Sequence, residues 1–216
     1  MKPRISPALL LNTMILGTFL YQAGCATTGN QQSADTRVTM KQVEEDYIQA
    51  SAQVDITGES LEAIFDPDQP DEKKAFENYS LNVDKMKNQE NRLSRQADKM
   101  RVQQRDYFEE WRMQGNAYTN PDIQALSEQR RADLTEVFAR ITEASVGVKG
   151  SFKSYMSDNE QIRAYLSTDL TPKGIEAITP VGQKAVTDGD NLKEAVNPVL
   201  AAIGDAREAM AQGEDK

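Results

Sequence analysis

The sequence predicts an all-α fold: an elongated antiparallel helical bundle or coiled coil of about four helices, with a long central hairpin. Apolar side chains recur at alternating steps of three and four residues over most of the chain, which is the spacing of one helix face. No segment has a strand pattern long enough to build a sheet. With 38% hydrophobic and 27% charged residues, the chain has too little apolar material for a thick core. It can supply a narrow apolar stripe along each helix, which we call the seam.

The first predicted helix carries this spacing from Met40 to Ile64. Gly58 lies inside it and marks a place where the helix could end or bend, because glycine costs about 1 kcal/mol relative to alanine in a helix. Pro67 and Pro70 then stop the helix, since proline lacks an amide donor and forces the preceding residue out of helical geometry.

The second and third predicted helices form the long hairpin. Asp71 is a suitable N-cap for helix two, whose seam continues to Trp111, a length of about 60 Å at 1.5 Å per residue. After a short turn, Asn120 and Pro121 start helix three, whose seam covers residues 134 to 166. So short a connection makes the two helices antiparallel neighbours.

The fourth predicted helix has two alternative starts, at Thr171-Pro172 and at Thr179-Pro180. Its seam contains small residues, including Gly182 and Gly189, which would let neighbouring helices approach closely. Pro198 lies inside this helix and predicts a kink, because it cannot donate its backbone hydrogen bond.

The first 25 residues have the layout of a bacterial lipoprotein export signal. Lys2 and Arg4 precede an apolar run over residues 8 to 20, and the small residues 23 and 24 precede Cys25, the only cysteine. The run is shorter than the roughly 20 residues that a membrane-spanning helix needs, so a cleaved signal is favoured. Cleavage before Cys25 would leave it as a diacylated N-terminus.

Gln22 departs from this pattern, because lipoprotein signals usually carry an aliphatic residue at that position. The alternative is an ordinary secretory signal cut near Ala26, in which case Cys25 is incidental. Lipidation of Cys25 is favoured, because an exported chain with one unpaired thiol otherwise needs an explanation.

The chain therefore divides into four predicted segments. Residues 1 to 24 are the signal peptide, and residues 25 to 36, which are small and polar, form a flexible tether. Residues 37 to 212 form the helical coiled-coil domain, and residues 213 to 216 are a disordered tail.

The composition limits the chemistry that the chain can perform. Loss of Lys2 and Arg4 with the signal takes the formal net charge from −9 to −11. Because the body is anionic, we expect no nucleic-acid partner. For the same reason we expect the chain to attach to a membrane through the N-terminal lipid. The lack of histidine excludes Ser-His-Asp and Cys-His catalysis and histidine-ligated zinc. We therefore expect no enzyme, no catalytic residue and no cofactor.

Two acidic clusters raise the question of a metal site. Asp66, Asp68 and Asp71 are closely spaced, but an EF-hand loop needs an oxygen ligand where Pro70 stands. A solvated turn is the favoured interpretation. Residues 188 to 191, Asp-Gly-Asp-Asn, are explained as well by a local bend in helix four, so no metal site is predicted.

Four aromatic residues lie near the tip of the hairpin and could line a pocket or stack on a sugar: Tyr107, Phe108, Trp111 and Tyr118. Tyr107 and Trp111 occupy seam positions, so packing is the favoured interpretation. Basic residues on the same helix alternate with acidic ones, which is typical of a solvated face with ion pairs: Arg92, Arg95, Lys99, Arg101 and Arg105.

Three stretches resemble a known family. They are residues 108 to 111, Phe-Glu-Glu-Trp; the pair Arg130 and Arg131 ahead of Leu134; and residues 158 to 178. On these residues the chain resembles a domain-of-unknown-function family of bacterial envelope proteins, helical, often coiled-coil and of lipoprotein type. The resemblance implies bacterial origin, export and helical architecture. It supplies no catalytic residue, substrate or partner.

These observations predict a non-enzymatic envelope lipoprotein that acts as a structural or protein-interaction rod in the periplasm. The expected partners are the membrane, an envelope protein or a second copy. In a bacterium with two membranes, Ala26 after Cys25, in place of aspartate, predicts sorting to the outer membrane with the body facing the periplasm. The alternative is a helical-bundle ligand-binding or sensor module. The narrow seams favour the rod, since a ligand cavity needs a wider apolar lining.

The predicted shape is open to measurement. Small-angle X-ray scattering on residues 26 to 216 should give a radius of gyration well above the roughly 17 Å expected for a compact domain of this length. Narrow seams require long helices side by side, and this elongation raises the radius. A compact monomer would contradict the rod.

Overall fold

The computed structural model describes residues 29 to 211, which form four long helices joined by short turns. The helices α1, α2, α3 and α4 span Gly29–Phe65, Glu72–Gly115, Pro121–Thr168 and Pro172–Ala211. Their lengths of 37 to 48 residues correspond to roughly 55 to 70 Å at 1.5 Å per residue. No strand occurs in this part of the chain, and the predicted all-α fold is confirmed.

Each helix packs against the next one along the chain, and α4 packs back against α1. The contacts between α1 and α2 show that they are antiparallel. Gln53 Nε2 lies 3.5 Å from the carbonyl oxygen of Asn82, whereas Gln32, near the start of α1, donates to Glu110, near the end of α2. The helices are also antiparallel at the α2–α3, α3–α4 and α1–α4 interfaces. The result is an up-down-up-down four-helix bundle.

Two predicted N-caps are confirmed. Asp71 Oδ1 accepts a hydrogen bond from the amide of Lys74 at 3.0 Å, at the start of α2. Asn120 Oδ1 accepts from the amide of Asp122 at 2.9 Å, and Pro121 takes the first position of α3. Each cap satisfies a first-turn amide that has no partner inside its helix, so the caps determine where these helices begin.

The fourth helix uses the first of its two alternative starts. It begins at Pro172, and Thr171 Oγ1 accepts a hydrogen bond from the amide of Gly174 at 3.2 Å. Pro180 and Pro198 therefore lie inside the helix. Both prolines are exposed, so their rings lie outside the core.

The start of α1 corrects one prediction. The sequence predicts a flexible tether over residues 25 to 36, but α1 begins at Gly29, so residues 29 to 36 are helical. Thr36 is buried and lies one helical turn before the buried Met40. The pattern of apolar residues misses this turn because a buried threonine among small polar residues carries no apolar signal.

Other predicted boundaries fall as follows. α1 continues through Gly58, which therefore does not end it. The predicted signal peptide of residues 1 to 24, the tether residues 25 to 28 and the predicted tail of residues 213 to 216 lie outside the described residues.

A buried polar layer crosses the core between α1, α2 and α3. The hydroxyl of Tyr79 lies 3.0 Å from both the carbonyl oxygen and the Oδ1 of Asn159, to which it donates. Asn159 Nδ2 donates to the carbonyl of Tyr155 at 2.8 Å, and the Tyr155 hydroxyl donates to the carbonyl of Val54 on α1 at 3.4 Å. Burial raises the pKa of both tyrosines, so both hydroxyls remain donors.

Gly189 lets α4 approach α1 and α3 closely. A Cβ atom at this position would lie 2.8 Å from Val54 Cγ1 and 3.1 Å from Tyr155 Cε2. Both of those side chains are buried and cannot move aside freely. Gly204 on the same helix is exposed, and no atom lies within 4 Å of the place where its Cβ would be.

This contrast gives a matched pair of substitutions. Overpacking by Gly189→Ala should cost about 1 to 3 kcal/mol, and the better helix propensity of alanine should return about 1 kcal/mol, so we expect a net loss. Gly204→Ala should instead raise the free energy of unfolding by up to about 1 kcal/mol. Urea unfolding of both variants measures the difference, and equal effects would show that Gly189 is not at a close contact.

Candidate functional site

The turn between α1 and α2 uses the side chains of two of its three aspartates to hold the backbone. Asp66 Oδ1 accepts a hydrogen bond from the amide of Asp68 at 2.9 Å, and Asp71 caps α2. Gln69 Nε2 donates to the carbonyl of Ala63 at 3.0 Å, which ties the turn to the end of α1. Among the described residues, no group of three or more carboxylate or thiol side chains is placed to hold a metal ion.

The acidic segment of residues 188 to 191 lies within α4 without a break in the helix. Lys184 pairs with the first aspartate of the segment and, at 3.1 Å, with Asp158 on α3. Lys193 pairs with the second aspartate at 2.9 Å and with Asp55 on α1. These aspartates therefore pair with lysines of their own helix, and the same lysines reach α3 and α1. Such surface ion pairs contribute little to stability.

Three of the four aromatic residues pack where α2 approaches its end. The ring of Tyr107 lies 5.2 Å from Phe108 and 5.7 Å from Trp111, and Phe108 meets the buried Phe138 of α3 edge to face at 5.3 Å. Trp111 Nε1 donates to Ser127 Oγ at 2.9 Å. These contacts join the two arms of the hairpin. Trp111 is only half-buried, because α1 begins and α4 ends close to this level.

One member of the basic run on α2 has a buried partner that composition does not reveal. Arg92 Nε lies 2.7 Å from Oδ1 of Asp46, whose side chain is 1% exposed. Gln89 Nε2 donates to the carbonyl of Asp46 at 3.1 Å. Arg101 and Arg105 pair with aspartates of their own helix, as a solvated face requires, but Arg92 departs from that prediction. In the sequence, the burial of Asp46 is indicated only by its position, three residues after the seam position 43.

Burial raises the pKa of Asp46 above its ordinary value, and the nearby Arg92 guanidinium offsets this only in part. Oδ1 of Asp46 is ion-paired with Arg92, but neither carboxylate oxygen makes a well-aligned hydrogen bond. The folded protein therefore binds a proton at Asp46 more tightly than the unfolded chain does. Between the ordinary and the raised pKa, the contribution of Asp46 to the free energy of unfolding falls as the pH rises.

A small cleft opens between α2 and α3 in the middle of the bundle. Its volume is about 210 Å³, and its lining mixes small, apolar and charged side chains from α1, α2 and α3: Tyr47, Glu90, Ser94, Ala97, Asp98, Ser145, Val148, Lys149 and Phe152. Small-molecule sites usually have volumes of roughly 300 to 1,000 Å³, so this cleft is small for one.

The end of the α2–α3 hairpin carries a group of exposed apolar side chains. We call residues 113 to 127 the hairpin end. Met113, Tyr118, Ile123 and Leu126 are 62%, 45%, 47% and 71% exposed. The segment contains one charged side chain, Asp122, in a chain that is 27% charged. A concentration of exposed apolar side chains is typical of an interaction surface.

The hairpin end is exposed because α1 begins and α4 ends close to its margin. Gln32, near the start of α1, donates to Glu110, and Met113 lies about one turn further along α2. Arg130 donates to a carbonyl in the last turn of α4, and Leu126 lies about one turn before Arg130 on α3. As far as the structure describes α1 and α4, the hairpin extends beyond both.

No protein-family model matches the chain, and no curated protein or solved structure matches it significantly. Between residues 29 and 211, none of the helices has the length and apolar character needed to cross a membrane. The predicted lipidation site, Cys25, lies outside the described residues, four positions before Gly29.

The Asp46–Arg92 pair predicts an asymmetry between two arginines of one helix. Arg92→Ala should lower the free energy of unfolding by about 1 to 3 kcal/mol, because it leaves a buried carboxylate without a partner. Arg101→Ala, which removes an exposed pair, should change it by less than about 1 kcal/mol. Chemical denaturation at neutral pH measures both, and equal losses would contradict the role assigned to Asp46.

The raised pKa of Asp46 predicts a distinct pH dependence. As the pH rises above the ordinary aspartate pKa of about 4 and through the raised pKa of Asp46, the free energy of unfolding of the parent should fall relative to that of Asp46→Asn, whose amide does not titrate. Thermal or urea unfolding across this range gives the difference. Parallel curves for the two proteins would show that Asp46 has its ordinary pKa in the folded state.

Proposed function

We propose that the chain is a non-enzymatic lipoprotein of the bacterial cell envelope, anchored through Cys25 and acting as a structural or protein-interaction rod. The observation that carries the proposal is how near the predicted lipid site lies to the bundle. Cys25 precedes Gly29 by four residues, which can span at most roughly 14 Å of extended chain. An acyl chain on Cys25 would hold the start of α1 next to a membrane.

The antiparallel arrangement gives such an anchor a mechanical consequence. The start of α1, the hairpin end and the end of α4 lie at one end of the bundle, and the other two turns lie at the opposite end. The two ends are separated by roughly 55 to 70 Å, the length of the helices. A rod anchored at one end would present its distant turns and its long sides to partners in the periplasm.

The side chains support a structural role more than a catalytic one. The chain has no histidine. The buried tyrosines Tyr79 and Tyr155 have raised pKa values, and their hydroxyls donate hydrogen bonds within the core. The buried carboxylate of Asp46 is paired with Arg92. These polar groups hold helices together rather than converge on an open site.

The alternative, a ligand-binding or sensor module, finds its support in the cleft between α2 and α3. Its volume of about 210 Å³ is too small for most metabolites without movement of the helices. Gly147 and Gly150 of α3 lie near this cleft in sequence and face open space, where glycine weakens a helix. The rod remains the better-supported function.

We further propose that the body lies in the periplasm on the outer membrane, with an envelope protein or a second copy as partner. Ala26 in place of aspartate supports this sorting, and the resemblance to helical envelope proteins is consistent with it. The net charge of −11 without the signal argues against nucleic acid as a partner.

Fatty-acid labelling in a bacterial host tests the proposal. The parent chain should incorporate a radioactive or clickable fatty acid and separate with membranes, because the acyl chains hold it there. Cys25→Ser should lose the label and be released or left unprocessed. Absence of label on the parent would contradict the lipid anchor, and a soluble parent that pulls down no envelope protein or second copy would contradict the rod.

A further inference from the structure

We propose that the hairpin end docks into the headgroup region of the membrane that holds Cys25, so that the bundle stands on this end. The hairpin end is the segment of residues 113 to 127 defined above. The inference rests on the proposed lipid anchor and deepens it, because it names the bilayer surface as a second, non-covalent partner of the described residues.

The hairpin end lies close to the proposed lipid anchor. Cys25 precedes Gly29 by four positions, a distance of at most roughly 14 Å. Gln32 on α1 contacts Glu110 on α2, so Met113 lies close to the level at which α1 begins. An anchor at Cys25 would therefore bring the hairpin end to the bilayer surface without any rearrangement of the bundle.

The side chains of the hairpin end suit the headgroup region of a bilayer. Met113, Ile123 and Leu126 are exposed apolar side chains, and Tyr118 is an exposed aromatic one. Tyrosine and apolar side chains are favoured at the boundary between headgroups and acyl chains, where an apolar face is buried by roughly 5 to 10 Å. Asp122 is the one charge on the segment, which Arg112 and Glu128 flank, and Arg112 pairs with Glu109 at 2.6 Å.

The opposite end of the bundle is acidic where the hairpin end is apolar. There the turn between α1 and α2 exposes Asp66, Asp68 and Asp71. Burial of ionised carboxylates in a bilayer surface is costly, and anionic headgroups would repel them. The two ends of the rod therefore differ in the way that end-on docking requires, with the apolar end beside the anchor.

The test uses the chain from Cys25, which contains every described residue and only this cysteine. The thiol is coupled to a maleimide lipid in vesicles of phosphatidylethanolamine and phosphatidylglycerol, part of which carry bromine near the top of the acyl chains. Bromine quenches tryptophan fluorescence at short range. Trp111, the only tryptophan, is changed to phenylalanine, and one new tryptophan reports depth.

The reporter and its control lie on the same helix. Leu126→Trp places the reporter on the hairpin end, and Val146→Trp places it 20 residues further along α3, about 30 Å away. Leu126 and Val146 are both 71% exposed, so the two reporters differ in position and not in exposure. Circular dichroism establishes that each variant is folded, and Tyr118→Trp serves as a second reporter should Leu126→Trp unfold.

We expect brominated lipid to remove most of the fluorescence of Leu126→Trp and to leave that of Val146→Trp unchanged. Adding Ile123→Glu to Leu126→Trp should restore much of the lost fluorescence, because a charge opposes insertion. Unquenched fluorescence from both reporters would overturn the proposal and leave a protein partner as the occupant of this surface. Equal quenching of both would show that the rod lies flat.

Chemical coupling separates this inference from the lipid anchor. Quenching of Leu126→Trp on vesicles, together with no fatty-acid label on the parent in cells, would keep the docking surface and overturn the anchor. Labelling in cells without quenching on vesicles would keep the anchor and overturn the docking.

Discussion

The narrow apolar face of each helix is the constraint on which the rest of the structure depends. A narrow seam buries too little surface for a helix to stand alone, so every helix packs against two neighbours. Such cover requires helices of similar length, and it leaves every turn at one of two ends. The matched lengths, the short turns and the exposed position of the hairpin end all follow from it.

Apolar seams alone would let the helices slide past one another at little cost, and buried polar groups prevent this. The hydroxyls of Tyr79 and Tyr155 find partners in the core at one register only. The carboxylate of Asp46 meets Arg92 at another level of the bundle. Gly189 adds a steric requirement, because a neighbouring residue in its place would collide with Val54. Sliding would leave buried groups unpaired, which costs more than the apolar contacts could return.

Local signals in the sequence predict most of the fold, because caps and seams act within a few residues. Asp71 and Asn120 are recognisable as caps without knowledge of any neighbour. Residues 29 to 36 and Arg92 were misjudged for one shared reason: their burial or pairing depends on what another helix places opposite them. The hairpin end was predictable only through its one aromatic residue, Tyr118, since the exposure of this segment depends on where α1 and α4 stop.

The buried polar layer also determines how the reach of such a rod could change. Added residues must come in units of seven to keep the seams inward, and each unit would lengthen the rod by about 10 Å. The unit must be added to all four helices on the same side of the Tyr79–Asn159 layer, since an insertion in one helix would separate Asp46 from Arg92 or uncover a seam. Length is therefore a stepped quantity in this architecture, one that changes in whole repeats shared by four helices or not at all.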